Sequence, residues 1–475
     1  MCSLITDIRG IRPEKEFRPS DEADLAAILA QASRDGSACY IGGGLTKQDW
    51  GAAPGRIDVL LSTAGLSGCS DVDPDNLTLS AAAGTTVAEA CGRAEAVGRI
   101  LPLDPGYPRY ATIGGVVATG DQGARAAAYG GLRDVVLGVR ATLADGSAVK
   151  FGGRTMKNVS GYDMTKLFVG SFGILGVITE VTFRLLPRYD TQAVVVLPLS
   201  SLEEAKASVA RILTSYLQPL ALEVVSTHAM PPDFASTTAK LPRGRTTASA
   251  PAPVGALVVP GRPLLLAGFG GHRAAVDRSI AEVTTANPGA VPQVLRDNDA
   301  EALYAYLAVS GAGVPYGGAA ASAGDAGAAG EAVVSAGDRS RRLGFRASVP
   351  ISRALDLVQA AHECATANGF ALGFRAGAAR GRVGLFFAPE EGAAAEGAAA
   401  GGAAADARYG ACLTHMRAQA VAMGGSLFVT GGAGLLPSGY DAWGDVGPAL
   451  AIMKRIKERF DPKGVLNPGR FVGGI

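Results

Sequence analysis

Apolar and polar positions along this chain follow two periods, and their alternation predicts the elements. Residues from Asp21 to Arg34 carry helical spacing, with Ser20 as N-cap, Asp21 and Glu22 in the first turn and Asp35-Gly36 closing the run. Cys39 to Ile41, Asp58 to Ser62 and Leu77 to Ser80 read as strands, and Val87 to Val97 as a helix. Leu137 to Phe151, broken at Asp145-Gly146, reads as a hairpin. A short helix-like Asp163 to Phe168 then precedes a β-branched strand from Val177 to Leu186. Beyond Thr191 the pattern becomes strand (Ala193 to Leu197) and amphipathic helix (Leu202 to Tyr216). Similar pairs recur at Leu264 to Ala267 with Ala274 to Thr285, and at Ala347 to Ile351 with Leu355 to Ala367. Near the end, Leu450, Met453, Ile456 and Phe460 share one helical face, with Lys454, Arg455, Lys457, Glu458 and Arg459 mostly opposite. Asp461-Pro462-Lys463-Gly464 stops that helix.

With 475 residues, this mixture predicts an α+β protein of two or three domains: 1–190, 191–440, and a segment 441–475 that returns to the first. Two tracts, 317–337 and 390–406, are almost pure Ala, Gly and acid, with little to bury, and read as mobile loops or linkers. Charge adds only exclusions. Lys and Arg number 44 against 43 Asp and Glu, with no basic block, so nucleic acid is not an expected partner. No apolar run reaches the ~20 residues that span a bilayer, and the charged start MCSLITDIRGIRPEKEF lacks a signal-peptide core, so a cytosolic location is expected. The six cysteines (Cys2, Cys39, Cys69, Cys91, Cys364, Cys412) include no C-x-x-C, which leaves free buried thiols and no metal or cluster site.

Three glycine-punctuated segments carry the candidate chemistry. Gly42-Gly43-Gly44, after a buried strand, offers successive backbone N–H groups to an anion such as a diphosphate, with Thr46 adding a hydroxyl. It is neither a Rossmann fingerprint nor a Walker loop, and taken alone such a triplet is more often an ordinary flexible turn in a chain with 65 glycines. The second segment is Pro102 to Gly106 followed by Ala111 to Gly120. In the third, Phe151 to Pro187, Gly170, Gly173 and Gly176 interrupt a buried run, as where backbone lies against a flat ligand or simply enters a strand.

Taken in order, these segments resemble the PCMH-type (vanillyl-alcohol-oxidase-type) FAD-binding fold. The runs YGGLRDVVLGVRATLADG, MKNVSGYDMTKLFVGSFGILGVITEVTFRLLP and FDPKGVLNPGRF resemble the FAD-binding E subunit of glycolate oxidase, over residues 15 to 190 and 445 to 475. The resemblance implies a PCMH-type FAD domain, an α+β cap, and a tail folding back near the flavin. It places FAD against Ile41, Gly42, Gly43, Gly44, Leu45, Thr46, Lys47, Pro105, Gly106, Thr112, Ile113, Gly114, Gly115, Ala118, Thr119 and Gly123. Lys157, Asn158, Gly173, Gly176, Val177, Ile178, Asn467 and Arg470 complete the expected set. No histidine stands in the glycine turn and no cysteine between Pro102 and Ala118, so the flavin is expected to be non-covalent.

Related large subunits carry an H-x-G-D-G-N-x-H motif for metal and hydroxy-acid oxidation, and this chain has none. Its histidines (His228, His272, His362, His415) stand apart, with His362 and His415 on predicted helices. Oxidising a 2-hydroxy acid needs a base and cations for the carboxylate; Arg346, Arg375, Arg380 and Arg382 are candidate cations, and no base stands out. The resulting reading is an FAD-binding oxidoreductase subunit partnered by a catalytic flavoprotein subunit and an iron–sulfur subunit, held peripherally at the inner membrane through them. Two alternatives stand beside it: a free-standing FAD-dependent 2-hydroxy-acid dehydrogenase, and a structural subunit that has lost its flavin.

Overall fold

The computed structural model describes residues 8–155, 162–226, 262–310, 342–390, 403–437 and 439–475. The tract 317–337, His228, Lys157 and Asn158 lie outside the described residues. The chain divides into two compact units. One holds residues 1–123, 129–188 and 441–475; the other holds 124–128 and 189–440.

The first unit is built on a three-stranded and a five-stranded sheet, with a further two-stranded pairing of Arg99–Ile100 and Leu186–Pro187. β1 (Lys15–Phe17), β2 (Cys39–Gly42) and β3 (Val59–Ser62) form a parallel sheet in the order β1-β3-β2, joined by α1 (Glu22–Asp35). α1 starts at Asp21 rather than the expected Ser20, because the Asp21 carboxylate accepts the Asp24 N–H at 2.8 Å. It stops at Gly36, whose φ of 67° few other residues adopt cheaply. Leu25, Leu29 and Ala32 form its buried stripe.

Next come β4 (Cys69–Asp73), β5 (Thr78–Ala82), α2 (Val87–Ala96), α3 (Ile113–Thr119), β6 (Val136–Thr142), β7 (Ala148–Gly152) and β8 (Val177–Arg184). Their five strands form a sheet in the order β4-β5-β8-β6-β7. β6 and β7 are the expected hairpin, Thr142 opposite Ala148. β8 sits centrally, and six of its eight residues are buried. Leu79, Ala81, Val139, Val181 and Phe183 from the sheet pack with Ile113, Val116 and Val117 of α3, and Leu450, Met453, Ile456 and Phe460 of the C-terminal helix (Ala449–Phe460) lie against that core.

The second unit is one eight-stranded antiparallel sheet. In chain order its elements are β9 (Thr191–Pro198), α4 (Leu202–Leu213), β10 (Ala221–Ser226), β11 (Pro263–Gly271), α5 (Arg273–Ala286), β12 (Gln293–Arg296), α6 (Asp297–Ser310), β13 (Leu343–Ser348), α7 (Ala354–Asn368), β14 (Phe370–Gly377), β15 (Arg382–Pro389), α8 (Ala403–Ala422) and β16 (Ser426–Gly431). The strands lie in the order β12-β9-β11-β10-β14-β15-β13-β16. Two expectations need correction. The strand expected to reach Ile351 ends at Ser348, because Pro350 offers no N–H to a ladder and opens a 3₁₀ turn at Ile351–Arg353. The tract 390–406 was read as linker, yet its last residues, 403–406, are the first turn of α8. Alanines unbroken by glycine favour helix once Tyr409, Cys412 and Met416 bury the following turns.

Candidate functional site

One cleft in the first unit gathers the glycine segments. It encloses about 730 Å³, part of it open to solvent, and is lined by residues 40–48, Thr63, Thr112, Gly114, Gly115, Ala118, Thr119, Phe172, Gly173, Gly176, Ile178, Asn467 and Arg470.

The wall that follows β2 is a turn without side chains, and its own neighbours explain why. A Cβ on Gly43 would stand 2.1 Å from Thr112 Oγ1, and one on Gly44 would stand 1.7 Å from the Tyr110 carbonyl oxygen. The turn is therefore pressed beneath the 110–112 segment. Leu45 then takes a positive φ of 55°. As a result the backbone N–H groups of Gly43, Gly44, Leu45 and Thr46 find no acceptor among the described residues. Successive unanswered N–H groups make a cradle for an anion. Lys47 adds no net charge to it: its ammonium lies 3.1 Å from Asp121, both side chains 6% exposed or less, and donates to Thr46 Oγ1 and the Gly106 carbonyl. An anion here is met by backbone dipoles.

Gly115 differs from the other glycines. It lines the cleft from α3, and a Cβ there would meet only Thr112 Oγ1, at 3.2 Å. Its missing side chain leaves space in the cleft rather than room for the protein's own packing.

The C-terminal segment braces both walls. Asn467 Oδ1 accepts the Ile41 N–H at 2.8 Å, while its Nδ2 donates to the Phe172 carbonyl at 2.7 Å, so one side chain ties the glycine turn to the Phe172–Gly176 turn. The Arg470 guanidinium donates to Tyr40 Oη (2.6 Å) and to the carbonyls of Gln48 (2.9 Å) and Trp50 (3.2 Å), and lies over the Tyr40 ring. Burial pushes the Tyr40 phenol pKa up despite Arg470, and lifts the neighbouring Asp49 carboxyl against the pull of Arg9 and Arg470. Phe172, Trp443 and Phe471 form an aromatic trio beside the same turn, with centroids 4.8 to 5.7 Å apart.

Lys457 corrects the sequence reading, which set it on the solvent side of its helix. It is 8% exposed. Its ammonium donates to Asp461 Oδ2 (2.6 Å) and to the carbonyls of Ile174 (2.9 Å) and Leu466 (2.9 Å). Asp461 also accepts the N–H groups of Val465 and Leu466. Burial pulls the Lys457 pKa down while Asp461 works against it. Three acceptors satisfy all three N–H bonds of the ammonium, which is what permits a charge in this position.

The cleft brings together Ile41 to Lys47, Thr112, Gly114, Gly115, Ala118, Thr119, Gly173, Gly176, Ile178, Asn467 and Arg470 from the expected set. Ile113 and Val177, each fully buried, turn instead into the core. Pro105, Gly106 and Gly123 form no part of its lining; Gly106 accepts from Lys47, and Gly123 donates to Asp104 Oδ1 at 2.8 Å. Sequence reasoning missed Tyr40, Gln48, Thr63 and Phe172 in the lining, although three of them flank the glycine turns directly. Gln48 Oε1 is buried without a partner, among the described residues, at the edge of the cleft.

In the second unit, Arg375 on β14 and Arg346 on β13 both stand opposite Gly384 of β15, and Arg382 lies two residues along, so three of the four expected arginines share a sheet face. The other face is apolar and covered by helices, with Tyr409 of α8 stacked on Phe370 at 4.6 Å. Arg375 is engaged by Glu223 at 3.0 Å and by the Leu307 carbonyl, and Arg380 by the Ala126 carbonyl at 2.6 Å. His272, His362 and His415 are exposed and apart, the latter two on α7 and α8 as expected. Among the described residues no three metal-binding side chains converge.

Residues 13–152 match the family model for the FAD-binding domain, and residues 189–471 match that for the C-terminal domain of FAD-linked oxidases. The chain belongs to the FAD-linked oxidases. FAD is its cofactor, it is an FAD-dependent oxidoreductase, and its α+β architecture is the PCMH-type flavoprotein fold. Solved structures agree at the level of fold: alkyldihydroxyacetonephosphate synthase superposes over 96% of this chain and 77% of its own, with a TM-score of 0.65 at 14% identity. D-lactate dehydrogenase of Archaeoglobus fulgidus is 37% identical over 213 residues, 45% of this chain and 47% of that protein. Glycolate oxidase subunit GlcD of Bacillus subtilis is 29% identical over 211 residues (44% and 45%), and subunit GlcE of Escherichia coli 43% over 122 residues (26% and 35%). The matched stretch is thus under half the length of each of these relatives. Among the described residues, no helix is long and apolar enough to cross a membrane.

Proposed function

We propose that this FAD-linked oxidoreductase is the FAD-binding subunit of a glycolate-oxidase-like 2-hydroxy-acid dehydrogenase, working with a catalytic flavoprotein subunit and an iron–sulfur subunit. The observation that carries the cofactor's placement is the run of unanswered N–H groups from Gly43 to Thr46 beside the open space at Gly115. That cradle suits a diphosphate, and the Phe172–Gly176 turn with Ile178 suits the ring system. Among the described residues the lining holds no cysteine or histidine, which supports a flavin held without a covalent link. When bound, FAD supplies two-electron chemistry, taking electrons from a donor and handing them on. The protein's part is to hold it: Asn467 fixes the spacing of the two walls, and Arg470 and Lys457 fix the turns that form them.

The subunit reading rests on the 43% identity to subunit GlcE together with the absence of the H-x-G-D-G-N-x-H motif from the sequence. The arginine face of the second unit has the charge to meet a carboxylate, but among the described residues the carboxylate beside Arg375, that of Glu223, is already engaged by it. The 37% identity to a D-lactate dehydrogenase supports the second reading, a free-standing enzyme. Turnover of glycolate and D-lactate with an artificial electron acceptor separates the two. The isolated chain should be slower than the assembled complex by roughly 10² or more, the usual cost of lacking a positioned base. Full activity from the single purified chain would overturn the subunit reading.

A further inference from the structure

Cys364 and Cys412 are 48 positions apart in sequence, one on α7 and the other on α8, yet their Sγ atoms lie 3.5 Å apart. Both are free thiols, 6% and 0% exposed, set where the two helices pack. A disulfide needs its sulfurs at about 2.05 Å, so the two sulfurs have to approach by roughly 1.5 Å to bond. We propose that Cys364 and Cys412 form an oxidisable dithiol, which hydrogen peroxide converts into a disulfide tying α7 to α8.

The chemistry balances with one peroxide. The Cys364 sulfur attacks the peroxide, forming S–O as O–O breaks, and the departing oxygen leaves as water with the thiol proton. The Cys412 sulfur then attacks that sulfur, forming S–S as S–O breaks, and a second water leaves with the remaining proton. Two thiols lose two electrons and two protons, and one peroxide becomes two waters. The order follows from the shared proton: the hydrogen bond between the thiols draws the Cys364 pKa down and pushes that of Cys412 up, so Cys364 ionises first. Burial instead raises the pKa values of Cys39 and Cys69, which disfavours oxidation there. The two helices back the apolar face of the second unit's sheet, Tyr409 of α8 on Phe370 of β14, so the link stiffens the layer behind the arginine-bearing strands.

The test uses the full chain, reduced and then exposed to hydrogen peroxide, followed by alkylation in denaturant and non-reducing peptide mass mapping. A peptide joining Cys364 to Cys412 is expected, with Cys39 and Cys69 alkylated. Closing a loop of this length should raise the melting temperature by roughly 5–15 °C, reversibly with reductant. Cys412→Ala should abolish that rise and leave Cys364 as a sulfenic acid trapped by dimedone. Recovery of both thiols alkylated, or linkage of other cysteines while this pair stays reduced, overturns the proposal. The map of the unmutated chain decides even if the variant does not fold.

Discussion

The two units handle polar groups in opposite ways. In the first, the polar groups lining the cleft are backbone: the N–H groups of residues 43–46 have no acceptor among the described residues, while the charged side chains Lys47, Arg470 and Lys457 are engaged by partners inside the protein. In the second, the charged groups are side chains on one sheet face, and the charge of Arg375 is matched by Glu223. A cradle of N–H groups holds an anion without a cation being desolvated for it, whereas an arginine meets a carboxylate only where its charge is not already balanced. The contrast predicts a cofactor bound firmly in one unit and weak substrate chemistry in the other.

The largest expected effect breaks the first side of that comparison. Gly115→Leu sets its Cβ against Thr112 Oγ1 alone, at 3.2 Å, and its bulk at the cleft lining, so the variant is expected to fold and be colourless. Circular dichroism with the absorption spectrum checks both halves. Gly43→Val is a poorer probe, because its added atoms strike Thr112 and disturb folding together with binding.

Lys457→Met should cost roughly 3–5 kcal/mol of stability, because Asp461 is then left buried without its partner. Denaturant unfolding measures that, and the double variant Lys457→Met with Asp461→Leu should recover part of it. Asn467→Ala loses one side chain that bridges both walls. About 1–3 kcal/mol is expected, appearing as weakened FAD affinity in a fluorescence titration as well as in stability.

The smallest effect concerns Cys39 in β2. Burial, helped by Asp461 and Asp58, pushes its pKa up to about 12 from 9.0. Between those values the unfolded chain loses the thiol proton and the folded chain keeps it, so stability falls as pH rises through that window. Iodoacetamide at pH 8 should label Cys39 only after unfolding.

What was legible in the sequence follows the same division. The glycine turns, β2, β8 and the hairpin are local: a few adjacent residues state the backbone they need, and the resemblance rested on those stretches. β10, β14, β15 and β16 went unread, since runs such as Phe370–Gly377 mix glycine, alanine and aromatics, and their strand state comes from neighbours far along the chain. Glu223 and Arg375, 152 positions apart, show why a charged residue in such a strand looks solvated until its partner is placed. Lys457 is the same case on a helix: its burial makes sense only once the Ile174 and Leu466 carbonyls converge on it. Cys364 and Cys412, distant in sequence, gave no sign of their contact.

Hydrogen–deuterium exchange of the flavin-stripped chain, with and without added FAD, tests the central claim most directly. The amides of residues 43–46 have no acceptor among the described residues, so they should exchange fast in the stripped chain and slow by at least tenfold when FAD is added, together with peptides spanning 112–119 and 172–178. Tight FAD binding that leaves the 43–46 amides as fast as before would contradict it.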